Sequence, residues 1–232
     1  MNLKIMPLGD SITRGKGGST WRLFLKDLLD RCGIDCRFVG SCPHAPNYSE
    51  PWGDAYRALE EALGNNIEHE GWGGLKISDI IELKDNPAHP DYPDFTIEEL
   101  LLQNRADIIL LMIGTNDILN QYKLDRAPER LDNLIGRITT HSNAHLLVST
   151  IPPNYAGQEK DLNADVKLFN SQIPAIVNNR QSSGFKVSTV DAGSKLSRED
   201  MLQDGLHPNI YGNQKIAAAW FDAIVESIRD TE

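Results

Sequence analysis

Residues Ile108-Ile109-Leu110-Leu111-Met112-Ile113 form an unbroken apolar run with no polar alternation. A strand with one face in water alternates apolar and polar side chains, so a β segment that is apolar at every position implies burial on both faces. A parallel sheet covered by helices on each side meets that condition. Shorter β-rich runs recur at 3–8, 36–39, 67–70, 145–151 and 186–190, and helical spacing lies between most of them. Trp21, Leu25, Leu28 and Leu29 recur at that spacing before Gly33, as do Leu131, Leu134, Ile135 and Ile138, and Ile216, Ala217, Trp220 and Ile224 near the end. The expectation is an α/β fold: one three-layer α/β/α domain over residues 1–232, with a central parallel sheet of about five strands.

Ligands of such sheets bind beyond the carboxyl ends of the strands, near a switch in strand order. Four short strings fall there: Gly9-Asp10-Ser11 after the first run, Gly71-Trp72-Gly73-Gly74 after the third, Gly114-Thr115-Asn116-Asp117 after the fourth, and Asp204-Gly205-Leu206-His207 between the last run and the final helix. A serine attacks an ester only when a histidine accepts its proton and a carboxylate holds that histidine in the right tautomer. Ser11, His207 and Asp204 supply those groups, with Asp191 and Asp200 as rival carboxylates. Taken singly, each string also reads as ordinary backbone chemistry. Gly-Asp-Ser suits a turn or helix cap, Asp-Gly a turn, and Asn-Asp a cap. The Gly-x-Ser-x-Gly elbow of the α/β-hydrolases is absent, so that fold is the wrong comparison.

Together these strings resemble the blocks of the SGNH (GDSL) hydrolases over nearly the whole chain. Met6-Pro7-Leu8-Gly9-Asp10-Ser11-Ile12-Thr13, His69-Glu70-Gly71, Ile151-Pro152-Pro153 and Asp204-Gly205-Leu206-His207-Pro208-Asn209 are most similar to carbohydrate esterase family 3, the acetylxylan-esterase-like branch. The resemblance implies a flavodoxin-like fold with Ser11 as nucleophile, His207 as general base and Asp204 as its orienter. It also implies an oxyanion hole built from the Ser11 and Gly74 backbone amides and the Asn116 side chain. One departure is Gly73, where the family more often carries serine or another small polar residue. The activity implied is hydrolysis of short, acetyl-type carboxylic esters, including O-acetylated sugars, through an acyl-serine and with no cofactor or metal. Two alternatives stay open: a lysophospholipase or acyl-thioesterase of the same superfamily, and a non-catalytic carbohydrate-binding module on the same fold.

Thirty-three acidic against 23 basic residues give a formal charge of −10, which repels nucleic acid and anionic membranes. The expected partner is therefore a small ester. No apolar stretch reaches the roughly 18 residues of a spanning helix, and the amino terminus reads as a core strand rather than a leader. The expectation is a cytoplasmic chain, although a trimmed leader would leave the same sequence. Three cysteines, Cys32, Cys36 and Cys42, argue for reduced thiols over a disulfide framework. Their spacing, even with His44, is not that of a common zinc site. Trp72, Asp10 and Arg14 are candidate pocket residues. Two long connections, 41–56 and 84–94, are rich in proline, aromatic residues and histidine, and Tyr48, Trp52 and Tyr56 fall in the first.

Overall fold

The apolar run at 108–113 lies at the centre of the molecule. In the computed structural model, which describes residues 2–16, 20–42, 61, 67–82, 96–157 and 161–229, it forms the middle strand of a parallel sheet and is buried at every strand position. The strands in chain order are β1 (Leu3–Gly9), β2 (Cys36–Phe38), β3 (Glu70–Gly71), β4 (Ile108–Met112), β5 (His145–Ser149) and β6 (Val187–Val190). Their spatial order is β2-β1-β4-β5-β6, with β3 also paired to β1. β2 pairs with the start of β1 (Leu3 opposite Cys36) and β3 with its end (Leu8 opposite Glu70), while β4 occupies the other side (Ile5 opposite Ile108). The order therefore switches between β1 and β4, which opens a crevice beyond their carboxyl ends.

The α-helices are α1 (Ser11–Arg14), α2 (Trp21–Arg31), α3 (Ile77–Ile81), α4 (Ile97–Gln103), α5 (Thr115–Leu119), α6 (Ala127–His141), α7 (Asn163–Ser182) and α8 (Ile210–Arg229), with short 3-10 turns at Leu124–Arg126 and Arg198–Asp200. Right-handed crossovers that lead outward in opposite directions from β1 and β4 place their helices on opposite faces of the sheet. On one face α2 packs against α8, with the Trp21 and Trp220 rings 5.8 Å apart; on the other, α6 packs against α3, α4 and α7. Between these layers Ile5, Met6, Leu8, Ile109, Leu110 and Leu111 are wholly shielded from solvent. This is the expected α/β sandwich with a parallel sheet of five to six strands. No helix among the described residues is long and apolar enough to cross a membrane.

The differences from the sequence reading include one strand and one long helix. The strand expected at 67–70 is only Glu70–Gly71, because His69 is drawn instead into an isolated antiparallel bridge with Cys42. The helix Asn163–Ser182 was not anticipated, since its Pro174 and many polar residues hide the stripe Val166, Phe169, Ile173 and Val177 that it buries. The long connections lie outside the described residues apart from Ser41 and Cys42, and so do Tyr48, Trp52, Tyr56, His44 and His89.

Candidate active site

Ser11 is the first residue of α1, directly after β1, and Asp10 caps that helix by accepting the Ile12 N–H at 2.9 Å. The cap reading and the nucleophile reading are therefore compatible. Beneath α1 the buried Arg22 satisfies carbonyls at its far end: Nε donates to Thr13 O at 2.9 Å and a terminal nitrogen to Arg14 O at 3.0 Å, while another reaches Ile67 O. β3 presses on the same helix, and a Cβ at Gly71 would stand 2.5 Å from the Arg14 nitrogen, so only glycine fits there.

The loop before α8 carries the other half of the site. Asp204 Oδ1 accepts the Leu206 and His207 amides at 2.9 and 3.0 Å, which folds the three-residue spacing into a tight turn. Its Oδ2 then meets His207 Nδ1 at 2.8 Å, and His207 Nε2 meets Ser11 Oγ at 2.8 Å. In the neutral tautomer that fits this chain, Nδ1–H donates to Asp204 and Ser11 donates to Nε2. A further donor, Lys16 Nζ, reaches Asp204 Oδ2 at 3.0 Å. Although burial alone would raise it, these hydrogen bonds hold the Asp204 carboxyl far below the usual carboxylate range. The His207 pKa is lowered from its ordinary value, first by burial; Asp204 opposes that shift and Lys16 adds to it. The rival carboxylates are engaged elsewhere. Asp191 accepts the Thr150 and Ser194 hydroxyls, and Asp200 accepts Lys215 and the Ser197 amide.

The remaining candidates sit on the loops after β3 and β4. Gly74 is exposed at φ 80°, a left-handed conformation that suits glycine. Asn116, near the start of α5, is buried and donates one amide hydrogen to Leu75 O at 2.9 Å, which ties it to the turn that carries Gly74. Its second amide hydrogen has no hydrogen-bond partner among the described residues. Asp117 fixes the same joint, accepting the Ile77 N–H at 2.9 Å and Arg130 at 2.7 Å. The Ser11 N–H opens a helix and has no partner within it.

Of the pocket candidates, Trp72 is half-buried, with Nε1 held by Glu70 Oε2 at 3.2 Å, and Arg14 is exposed. Asp10 requires correction: it is wholly shielded, so it underlies the turn that carries Ser11 and presents no surface to a substrate. His69 is also buried, and its Nδ1 accepts the Gly71 N–H at 2.9 Å. Sequence reasoning missed Lys16, Arg22, Glu70 and Arg130. Glu70 alone gathers Ser41 N and Oγ, Trp72 Nε1 and Asn104 Nδ2. Cys32 is exposed, Cys36 buried and Cys42 half-buried, all as free thiols. Among the described residues no cluster of His, Cys, Asp or Glu is arranged to hold a metal.

Comparison with known proteins matches residues 8–215 to the GDSL-like lipase/acylhydrolase family. The chain belongs to that family. A family 3 carbohydrate esterase from Clostridium thermocellum superposes over 100% of this chain and 99% of its own, with a TM-score of 0.76 and 29% identity. A family 3 carbohydrate esterase from Talaromyces cellulolyticus shares the fold over 98% and 99% of the two chains, with a TM-score of 0.75 and 24% identity. A multidomain esterase from Ruminococcus flavefaciens is 30% identical over 229 residues, which is 96% of this chain but 28% of that protein. The present GDSL chain thus spans little more than a quarter of the length of that relative.

Proposed function

We propose that the chain is a one-domain serine esterase that removes short acyl groups, acetyl above all, from sugar hydroxyls. The observation that carries the reading is the continuous relay Ser11 Oγ to His207 Nε2 and His207 Nδ1 to Asp204 Oδ2, each link 2.8 Å. His207 takes the Ser11 proton as Oγ bonds to the ester carbonyl carbon, whose oxygen becomes an anion facing the Ser11 and Gly74 amides and the Asn116 side chain. Collapse of that intermediate breaks the bond to the alcohol, which leaves with the proton from His207. Water repeats the sequence on the acyl-serine and releases the acid. A preorganised donor of this kind contributes roughly 2.7–4 kcal/mol to lowering the barrier.

The acetyl and sugar part of the reading draws support from the similarity to a family 3 carbohydrate esterase along the full length of both chains. A series of p-nitrophenyl esters, followed by acetylated xylo-oligosaccharides and a lysophospholipid, tests it. The expected result is a steep fall in kcat/KM beyond acetyl or propionyl and release of acetate from the oligosaccharides. An optimum at long acyl chains would turn the assignment to lysophospholipid or thioester hydrolysis.

A further inference from the structure

Two donors converge on a single oxygen of Asp204. Its Oδ2 receives His207 Nδ1 at 2.8 Å and Lys16 Nζ at 3.0 Å, while Oδ1 is filled by the Leu206 and His207 amides. The two amides and the imidazole already orient the carboxylate, so the lysine is surplus to that task. It arrives from the segment that carries Ser11, 188 positions away from Asp204, with its side chain 55% exposed against 31% for Asp204. Among the described residues, the charged groups acting on the His207 ring are Asp204, from its own turn, and Lys16, from the segment after α1.

Resting on the Ser11–His207–Asp204 reading of the site, we propose that Lys16 is a positioning residue that acts through Asp204: by drawing on the oxygen that His207 uses, it keeps the base neutral in mildly acidic medium. Two effects act in the same direction. The ammonium repels an imidazolium, and a second donor on Oδ2 weakens that oxygen as the acceptor that would stabilise the imidazolium. The setting gives this consequence a use, because every turnover of an esterase releases a carboxylic acid. Lys16 thus sets how far the solution around the enzyme acidifies before the base is lost.

The test compares kcat/KM against pH for wild type, Lys16→Met and Lys16→Arg at low and high salt, together with NMR titration of the His207 ring. Lys16→Met is expected to move the acid limb and the ring titration upward by about half a pH unit, the influence of a unit charge across roughly 5 Å of water-like medium. Lys16→Arg keeps the wild-type limb. High salt carries the wild-type limb towards that of Lys16→Met and leaves the variant nearly still, because an exposed pair is screened. Coincident limbs and coincident ring titrations in wild type and Lys16→Met at low salt would overturn the proposal. A wild type that hydrolyses no ester defeats the esterase reading instead, and the ring titration still decides whether Lys16 acts on His207.

Discussion

Asp10 shows how far a single buried residue can depart from what its position in a motif suggests. Wholly shielded, it spends Oδ1 on the Ile12 amide, with the Thr115 hydroxyl beside its carboxyl. Burial pushes its pKa up to about 7, and the negative charge of Asp117 adds to the shift. The folded state therefore retains a proton that the unfolded chain releases near the ordinary 3.8. Stability from this group is fully present below about pH 4 and is lost as pH rises through about 7. Between pH 5 and pH 8, wild type should lose on the order of 2–3 kcal/mol that Asp10→Asn, neutral throughout, does not lose. Thermal melts across that range should show the wild-type Tm falling by several degrees relative to the variant; parallel curves would contradict a neutral Asp10. None of this was legible beforehand, because a sequence places Asp10 beside Ser11 but does not say which way its carboxyl faces. Lys16 and Arg22 were invisible for a related reason: their partners are set by the fold, and charged residues without local periodicity read as solvated surface.

At the scale of elements, the joint between α3, α5 and α6 holds Asn116 in place. Asp117 lies wholly buried at the start of α5, caps α3 at Ile77, and pairs with Arg130 of α6 at 2.7 Å. The Arg130 guanidinium also sits 4.9 Å from the Tyr122 ring centroid. Removing the arginine leaves a buried carboxylate without its cation, so Arg130→Met should cost about 3–5 kcal/mol in denaturant unfolding. It should also lower kcat more than it raises KM, because a loosened Asn116 donor weakens the transition state preferentially. An unchanged unfolding midpoint with full kcat would show that the joint is not needed. Element by element, the sequence was most informative where burial was uniform: the continuous apolar pattern at 108–113 identified a central strand and, through it, the layered fold. It was least informative where tertiary contacts outweigh local pattern. The Glu70–Gly71 strand exists because β1 offers it a partner beyond the end of β2, and α7 tolerates Pro174 because its apolar stripe packs on β5 and β6.

For the molecule as a whole, the sheet topology turns separate strings into one site. Ser11 and His207 are 196 positions apart in the chain and 2.8 Å apart in space, because β1 ends at the crevice towards which the loop before α8 folds back. That convergence was readable in advance: each string follows a strand, and a parallel sheet gathers such positions along one edge. The residues that tune the site were not, since they are specified by contacts across layers rather than by spacing. The proposed mechanism requires Ser11 as the attacking group. The most direct measurement is p-nitrophenyl acetate hydrolysis by the purified protein beside its Ser11→Ala variant, with both shown to be folded. Wild type should turn over and the variant should be slower by at least about a thousandfold; equal rates would mean that the chemistry takes place somewhere other than Ser11.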